Sequence, residues 1–384
     1  MLVYVDNNAT TCVAREVFEA MVPFLTDQYG NPSSAHPFGG SASKIIVSSR
    51  ENLAELLGCD ADELIFTSCG TESDSTAILS ALATQQNRRK IVTTAVEHPA
   101  VLKVCKRLQQ QGYRVEYLPV DKHGRLNLAD VDNAIDDETA LVSVMWANNE
   151  IGNVYPVEMI AEIAHARGAL FHTDAVQAVG KVKIDLSSTT IDFLSLSGHK
   201  LHAPKGVGAL YVRRFTPYWS FLTGGHQERG QRAGTENVAS IAGLGMAALL
   251  ARENMEVEQT YVKGLRDRME AGLLATCPDP AVNGDVEHRL PNTSSICFKY
   301  IEGEAILLRL YQAGGICASS GSACTSGSLE PSHVLRAMGL DYRMLHGSIR
   351  FSFSRYNTEQ DVDVILEKTP PIIKALREMS PFGH

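Results

Sequence analysis

The chain has 384 residues, 44% of them hydrophobic and 21% charged, the balance of a globular protein too long for one core. Its formal net charge of −9 argues against nucleic acid or an anionic membrane surface as a partner. Eight scattered cysteines with no C-x-x-C pair exclude a disulfide framework and a zinc site, and point to a reducing, cytoplasmic compartment.

In chain order, "MLVYVDNNATT" has no basic region and meets Asp6 almost at once, so it does not read as a signal peptide. Its strand "LVYVDN" is expected to return to a smaller second unit. From about residue 45 to 255, short apolar strands alternate with helices: "ELIFTS", "KIVTTA", "RVEYLPV", "ALVSVMW", "ALFHTDA", "DFLSLS" and "GALYVRR". Continuous apolar strands separated by helices such as "EMIAEIAHARG" predict a mostly parallel sheet covered on both faces. "IAGLGMAALLA", from Ile241, is too short to span a bilayer and reads as a buried helix within a long helix or helix pair. Beyond it, the strands "TSSICFKY" and "SIRFSFSRY" and the helices "EGEAILLRLYQAG" and "EQDVDVILEKTPPIIKALREM" predict an α+β unit. The expected division is a large domain over 14–255 and a small one from 1–13 and 256–384.

In parallel sheets, ligands sit beyond the carboxyl ends of the strands, so the residues there are the candidates for chemistry. "LIFTS" runs into "CGTES", where Gly70, Thr71 and a helix start offer N–H groups and a positive dipole end to a phosphate. Thr71, Glu72 and Ser73 read equally well as helix caps. "KIVTTA" leads to His98, suited to stacking on a ring or exchanging protons, or to a half-buried structural role. "VMWANNE" supplies Asn149, a hydrogen-bond partner for a phenolic oxygen. "ALFHTDA" ends at Asp174, with Gln177 three residues on; the aspartate reads as the N-cap of "AVQAVG" or as the acid facing a pyridinium nitrogen. "DFLSLS" ends in "SGHK", where Lys200 is a solvated loop residue or an imine-forming amine.

One further segment has no packing rationale. "ASSGSACTSGS", residues 318–328, sets Cys324 among serines, glycines and alanines with little side chain to bury. It reads as a surface loop that holds a thiol by chance, or as a segment built to move one.

The order of "GTES", "EHPAV", "NNE-G", "HTDAVQ", "SLSGHK", "RAGTEN", "SSGSACTSGS" and "HGSIRFSFSR" resembles the cysteine desulfurases of aminotransferase class V over nearly the whole chain. "VMWANNEIG", "GGHQERG" and "SACTSGSLEPSHVLRAM" are most similar to the nitrogen-fixation branch. The resemblance implies an α/β protein with the type I fold of pyridoxal-phosphate-dependent aminotransferases: a large, mostly parallel seven-stranded sheet domain and a smaller α+β domain carrying the cysteine loop, about 316–330. It implies removal of sulfur from L-cysteine to give L-alanine and a persulfide on Cys324, with selenocysteine lyase or another class V reaction as the alternative. Lys200 would carry pyridoxal phosphate, Asp174 would pair with the ring nitrogen, and Gln177 and Asn149 would sit near the phenolic oxygen. His98 would stack on the ring and move protons; Gly70, Thr71, Ser197 and His199 would bind the phosphate. Thr235 would complete that phosphate site from the second subunit of a homodimer. Arg350 would grip the substrate carboxylate with help from Asn31, in preference to Arg355, which strand alternation puts on the opposite side. The implied sulfur acceptor is an iron–sulfur scaffold protein, with nitrogenase maturation as the destination. No intrinsic metal is implied, although Cys324 would suit a transient iron–sulfur ligand.

Overall fold

The computed structural model describes residues 2–320, 331–341 and 345–380. Every strand candidate of the first two-thirds forms. They are β2 (Leu64–Thr67), β3 (Lys90–Thr94), β4 (Arg114–Leu118), β5 (Thr139–Ser143), β6 (Leu170–Asp174), β7 (Phe193–Ser197) and β8 (Gly208–Val212), in the sheet order β2-β8-β7-β6-β5-β3-β4. All neighbouring pairs are parallel except those of β8, which runs antiparallel to β2 and β7. Two apolar layers account for the unbroken hydrophobic runs. Phe66, Val92, Val142, Phe171 and Leu194 join one cluster, and their immediate neighbours Ile65, Ile91, Leu141, Leu170 and Phe193 join another. A strand turns successive side chains to opposite faces, so a sheet covered on both sides needs apolar residues at every position.

Helices α3 (Gly70–Thr84) and α4 (Pro99–Gln110) cover one face through Ile78, Val101 and Cys105. Helices α2 (Pro37–Leu57), α6 (Val157–Ala166) and α7 (Val238–Glu253) cover the other through Leu53, Ile160 and Leu244. Helix α7 contains the apolar run singled out above and buries residues all round its axis. No described helix is long and apolar enough to cross a membrane.

The rest of the chain packs around its own cluster, which joins Val3 and Val5 to Leu265, Ile296, Phe298, Ile349, Phe351 and Ile365. Its sheet is β12 (Ser319–Ser320), β13 (Ser348–Ser352), β10 (Thr293–Phe298) and β9 (Pro280–Asn283), all antiparallel. The short β1 (Val3–Tyr4) pairs in parallel with β11 (Ile316–Cys317), so the N-terminal arm does return to this unit. Within residues 331–345, however, Val334, Leu335, Met338 and Leu345 pack into the first cluster of the large sheet.

Two local expectations differ. Residues 175–180 after β6 form turns rather than a helix, so Asp174 caps no helix; its Oδ1 accepts the N–H of Val176 at 2.9 Å. Strand β13 ends at Ser352, because Asn357 folds back to bond Ser354 in a tight turn. Arg355 therefore leaves the substrate side by lying beyond the strand, not by alternation within it.

Candidate active site

A cavity of about 340 Å³ opens at the carboxyl ends of the large sheet. It brings together Gly70 and Thr71 after β2, His98 after β3, Asn149 after β5, Asp174 and Gln177 at β6, Ser197, His199 and Lys200 at β7, and Arg350 from β13. Of the other named residues, Asn31 and Thr235 do not line it in a single chain. Asn31 is exposed and its Oδ1 accepts the N–H of Ser33 at 2.9 Å. Thr235 lies in the exposed stretch ahead of α7. Cys324 falls in 321–330, outside the described residues.

Each position has a local cause. Helix α3 starts at Gly70, and its N-cap residue Cys69 gives no side-chain capping bond. A Cβ on Gly70 would stand 2.7 Å from Val176 Cγ2 in the cavity lining, so only glycine lets this helix start lie so close to the β6 turn. Glu72 is drawn off to Ser68 N, at 2.8 Å, and to Arg232 Nε, at 2.9 Å. The His98 ring caps α4: its Nδ1 accepts the N–H of Ala100 at 3.2 Å, which leaves Nε2 as the protonated nitrogen of the neutral ring. Burial, then Lys200 and His333, hold this histidine below its ordinary pKa, against the pull of Asp174.

The floor of the cavity is acidic. Asp174 is 5% exposed, and burial, then Asp74, push its pKa to about 7. Burial does the same to Asp74, one of whose oxygens is 3.5 Å from His172 Nε2. His172 is wedged between Ser143 Oγ at 2.8 Å and Ser195 Oγ at 2.9 Å, and burial lowers it to about 4. Among the described residues, the hydrogen-bond partner of the Asp174 side chain is the backbone N–H of Val176 and not a cation. A buried carboxylate so placed is stabilised by a cationic group brought in from outside. Among the described residues, Gln177 Oε1 and Arg350 Nε are buried without a partner. The cavity thus has a phosphate-type helix start, an acid for a protonated ring nitrogen, an amide for a ring substituent and a guanidinium for a carboxylate. That donor set fits pyridoxal phosphate and an α-amino acid.

The N-terminal arm was not foreseen in this site. The Nζ of Lys200 donates to Asn8 O at 2.5 Å and Ala9 O at 2.7 Å, and Gln177 Nε2 donates to Asn8 O at 2.9 Å. The Asn8 side chain in turn binds Asn149 O at 3.1 Å and Thr293 Oγ1 at 2.9 Å, sewing the two sheets together at the cavity. Thr10 Oγ1 lies 3.1 Å from His199 Nδ1. The available signal was the pair of asparagines in "VDNNATT", which are 4% and 2% exposed: two amides at the end of an apolar strand, buried only because they have partners.

A family model described as aminotransferase class V matches residues 3–365. A cysteine desulfurase of Trichormus azollae is 59% identical over all of this chain and 96% of its own length. The cysteine desulfurase NifS of Azotobacter vinelandii is 58% identical over 99% of this chain and 94% of its own. Among solved structures, a NifS-like protein superposes with a TM-score of 0.92 at 39% identity, covering 98% of this chain and 100% of its own. A structure described as SspA in complex with cysteine has a TM-score of 0.81 at 33% identity, covering 92% of this chain and 99% of its own.

Proposed function

The chain belongs to aminotransferase class V, and from that membership and the cavity just described we infer that it is a pyridoxal-phosphate-dependent cysteine desulfurase. The observation that carries this reading is the convergence of Lys200, Asp174, the Gly70–Thr71 helix start and Arg350 on one cavity. Gly70, Thr71, Ser197 and His199 would hold the phosphate, Asp174 the ring nitrogen, Gln177 and Asn149 the phenolic oxygen, and His98 the ring face. The cofactor, when bound, supplies the electron sink for the bonds broken at the substrate.

The protein's own groups do the rest. Arg350 receives the substrate carboxylate and orients the amino acid. Lys200, as an unprotonated amine, takes the α-proton and returns a proton to the product. His98, neutral and protonated on Nε2, passes protons at the substrate's amine and sulfur. The thiolate of Cys324 attacks the substrate sulfur, the C–S bond breaks, and the carbon takes up a proton. The sum is L-cysteine and an enzyme thiol giving L-alanine and an enzyme persulfide, with no external oxidant or reductant.

The same reading makes the protein a cytoplasmic homodimer in which Thr235, and Asn31 with it, serves the site of the second copy; both are exposed in the single chain. The persulfide is destined for an iron–sulfur scaffold protein, in a lineage tied to nitrogen fixation. Purified protein loaded with pyridoxal phosphate is expected to make alanine from L-cysteine, stopping after about one turnover unless a thiol reductant removes the sulfur. Absence of alanine under both conditions would overturn the assignment.

The two arginines of the "SIRFSFSR" stretch make a second expectation. Arg350 lines the cavity, whereas Arg355 lines a separate pocket with Lys181 and Glu258 and lies 5.0 Å from the Tyr356 ring. Arg350→Ala should raise KM for cysteine by about tenfold to a hundredfold, the value of a charge-assisted hydrogen bond. Arg355→Ala should leave KM within about twofold and act on thermal stability instead, as surface-remote cation losses do. Steady-state alanine formation by both variants tests this.

A further inference from the structure

The proposal concerns Asp6, in the N-terminal arm, and it rests on the reading of Arg350 as the receptor of the substrate carboxylate. Arg350 lies in the middle of a sheet, its backbone paired with Ser319 on one side and Ser295 on the other. That fixes its Cα but not the guanidinium, which stands at the end of a long, rotatable side chain. Two contacts settle it. Nη1 donates to Asn149 O at 2.9 Å, and Nη2 donates to Asp6 Oδ1 at 2.6 Å.

The acid is itself held in register. Asp6 forms a parallel bridge with Ser352, through Ser352 N to Val5 O at 2.8 Å and Asn7 N to Ser352 O at 3.1 Å. Ser352 is two residues beyond Arg350 and on the same face of the strand. A residue paired beside it can therefore reach the guanidinium directly. The pair is well shielded, with side-chain exposures of 5% for Arg350 and 20% for Asp6.

A guanidinium has five N–H donors, and the two contacts use one on each terminal nitrogen. Among the described residues three remain, and one of these, Nε–H, belongs to a buried nitrogen without a partner. Arg350 also lines the cavity. The side chain is thus pinned at two atoms by protein and left with donors in hand for a third party, the arrangement of a preset carboxylate receptor. Glu150, a buried acid that also feels Arg350, is bonded instead to Ser332 Oγ at 2.5 Å.

We propose that Asp6 is a positioning residue for the substrate: its bond to Nη2 fixes the plane of the Arg350 guanidinium so that the remaining N–H groups meet the carboxylate of cysteine. Asp6 acts through Arg350 and takes no part in bond making. Its loss belongs in binding and not in the chemical step, since Lys200 and His98 are held by other contacts.

The test uses full-length, cofactor-loaded Asp6→Asn and Asp6→Ala beside wild type. Three quantities are measured: KM for L-cysteine, kcat for alanine formation, and the affinity for L-alanine read from the visible band of the bound cofactor. Asp6→Ala should raise KM about tenfold or more and weaken alanine binding in parallel, with kcat within about twofold of wild type. Asp6→Asn, which keeps an oxygen for Nη2, should fall between the two and serves if the alanine variant does not fold. A lower KM would show that Asp6 competes with substrate for the arginine, and an unchanged KM that Arg350 holds its place unaided; either overturns the proposal. Loss of kcat together with the cofactor band would make Asp6 structural and overturn it as well. Failure of wild type to make alanine would sink the functional reading instead, and alanine binding by wild type and variants would still report on Asp6.

Discussion

Lys200→Ala is expected to yield a protein that binds pyridoxal phosphate reversibly and makes no alanine above about a thousandth of the wild-type rate, because general-base catalysis alone contributes about 10²–10⁴-fold. The amine stands at the end of β7, where the sheet edge presents it to the cavity. Its Nζ rests on the carbonyls of Asn8 and Ala9, which fixes its position without using any side chain that the substrate needs. Nothing else described in the lining combines that reach with an amine. His98 is neutral and its Nδ1 is committed to the α4 N-terminus, and Asp174 lies on the floor under burial. On the proposed roles, removing the amine removes both the covalent hold on the cofactor and the base. The measurement is alanine formation alongside the visible band of the cofactor before and after gel filtration. Wild-type band position and retention after filtration would be lost in the variant. Alanine formation at more than about one per cent of wild type would move the base to another residue, His98 first.

Why this residue was readable in the sequence, and Asp6 was not, follows from how the two are placed. Lys200 stands just after an apolar strand, and β-strands of that kind announce themselves by composition. The same logic exposed Asp174, Asn149 and Gly70, each within a few residues of a strand end, and all seven strands of the large sheet formed where apolar runs were seen. The N-terminal arm contributes through tertiary pairing: β1 adds to β11 some three hundred residues away, and Asp6 meets Arg350 through a bridge to Ser352. No local period encodes a contact of that span. Asp74 and His172 were silent for a related reason. One is an acid inside a buried helix and the other a histidine inside a strand, and only their packing against each other beneath Asp174 gives them meaning. The end of β13 was misjudged because Asn357, five residues on, bonds back and closes the turn that stops the strand.

Cys324→Ala is expected to abolish sulfur transfer while leaving the cofactor in place, and the case rests on chemistry that the other thiols do not satisfy. Burial raises Cys59, Cys105, Cys277 and Cys297, the last three to about 11–12, so at neutral pH these sulfurs are protonated and poor nucleophiles. Burial, then Asp6, also raises Cys317. Cys12 is exposed, in a surface pocket apart from the one that holds Lys200. Cys69 is the serious rival, since it lines the cavity at the start of α3. Its backbone, however, is fixed as the N-cap, so a persulfide formed there could not be carried to a partner protein. For that task the sequence points to Cys324, set in "SSGSACTSGS" among residues with little side chain to bury. Cofactor-loaded Cys324→Ala and Cys69→Ala should therefore be compared for alanine formation and for sulfur retained on the protein after exposure to radiolabelled cysteine. The expected result is that Cys324→Ala binds cysteine, shifts the cofactor band and retains no label, with alanine down by about 10³-fold or more, the scale of losing a nucleophile. Label and alanine lost in Cys69→Ala but kept in Cys324→Ala would make the pocket thiol the acceptor, and the serine- and glycine-rich stretch a plain loop.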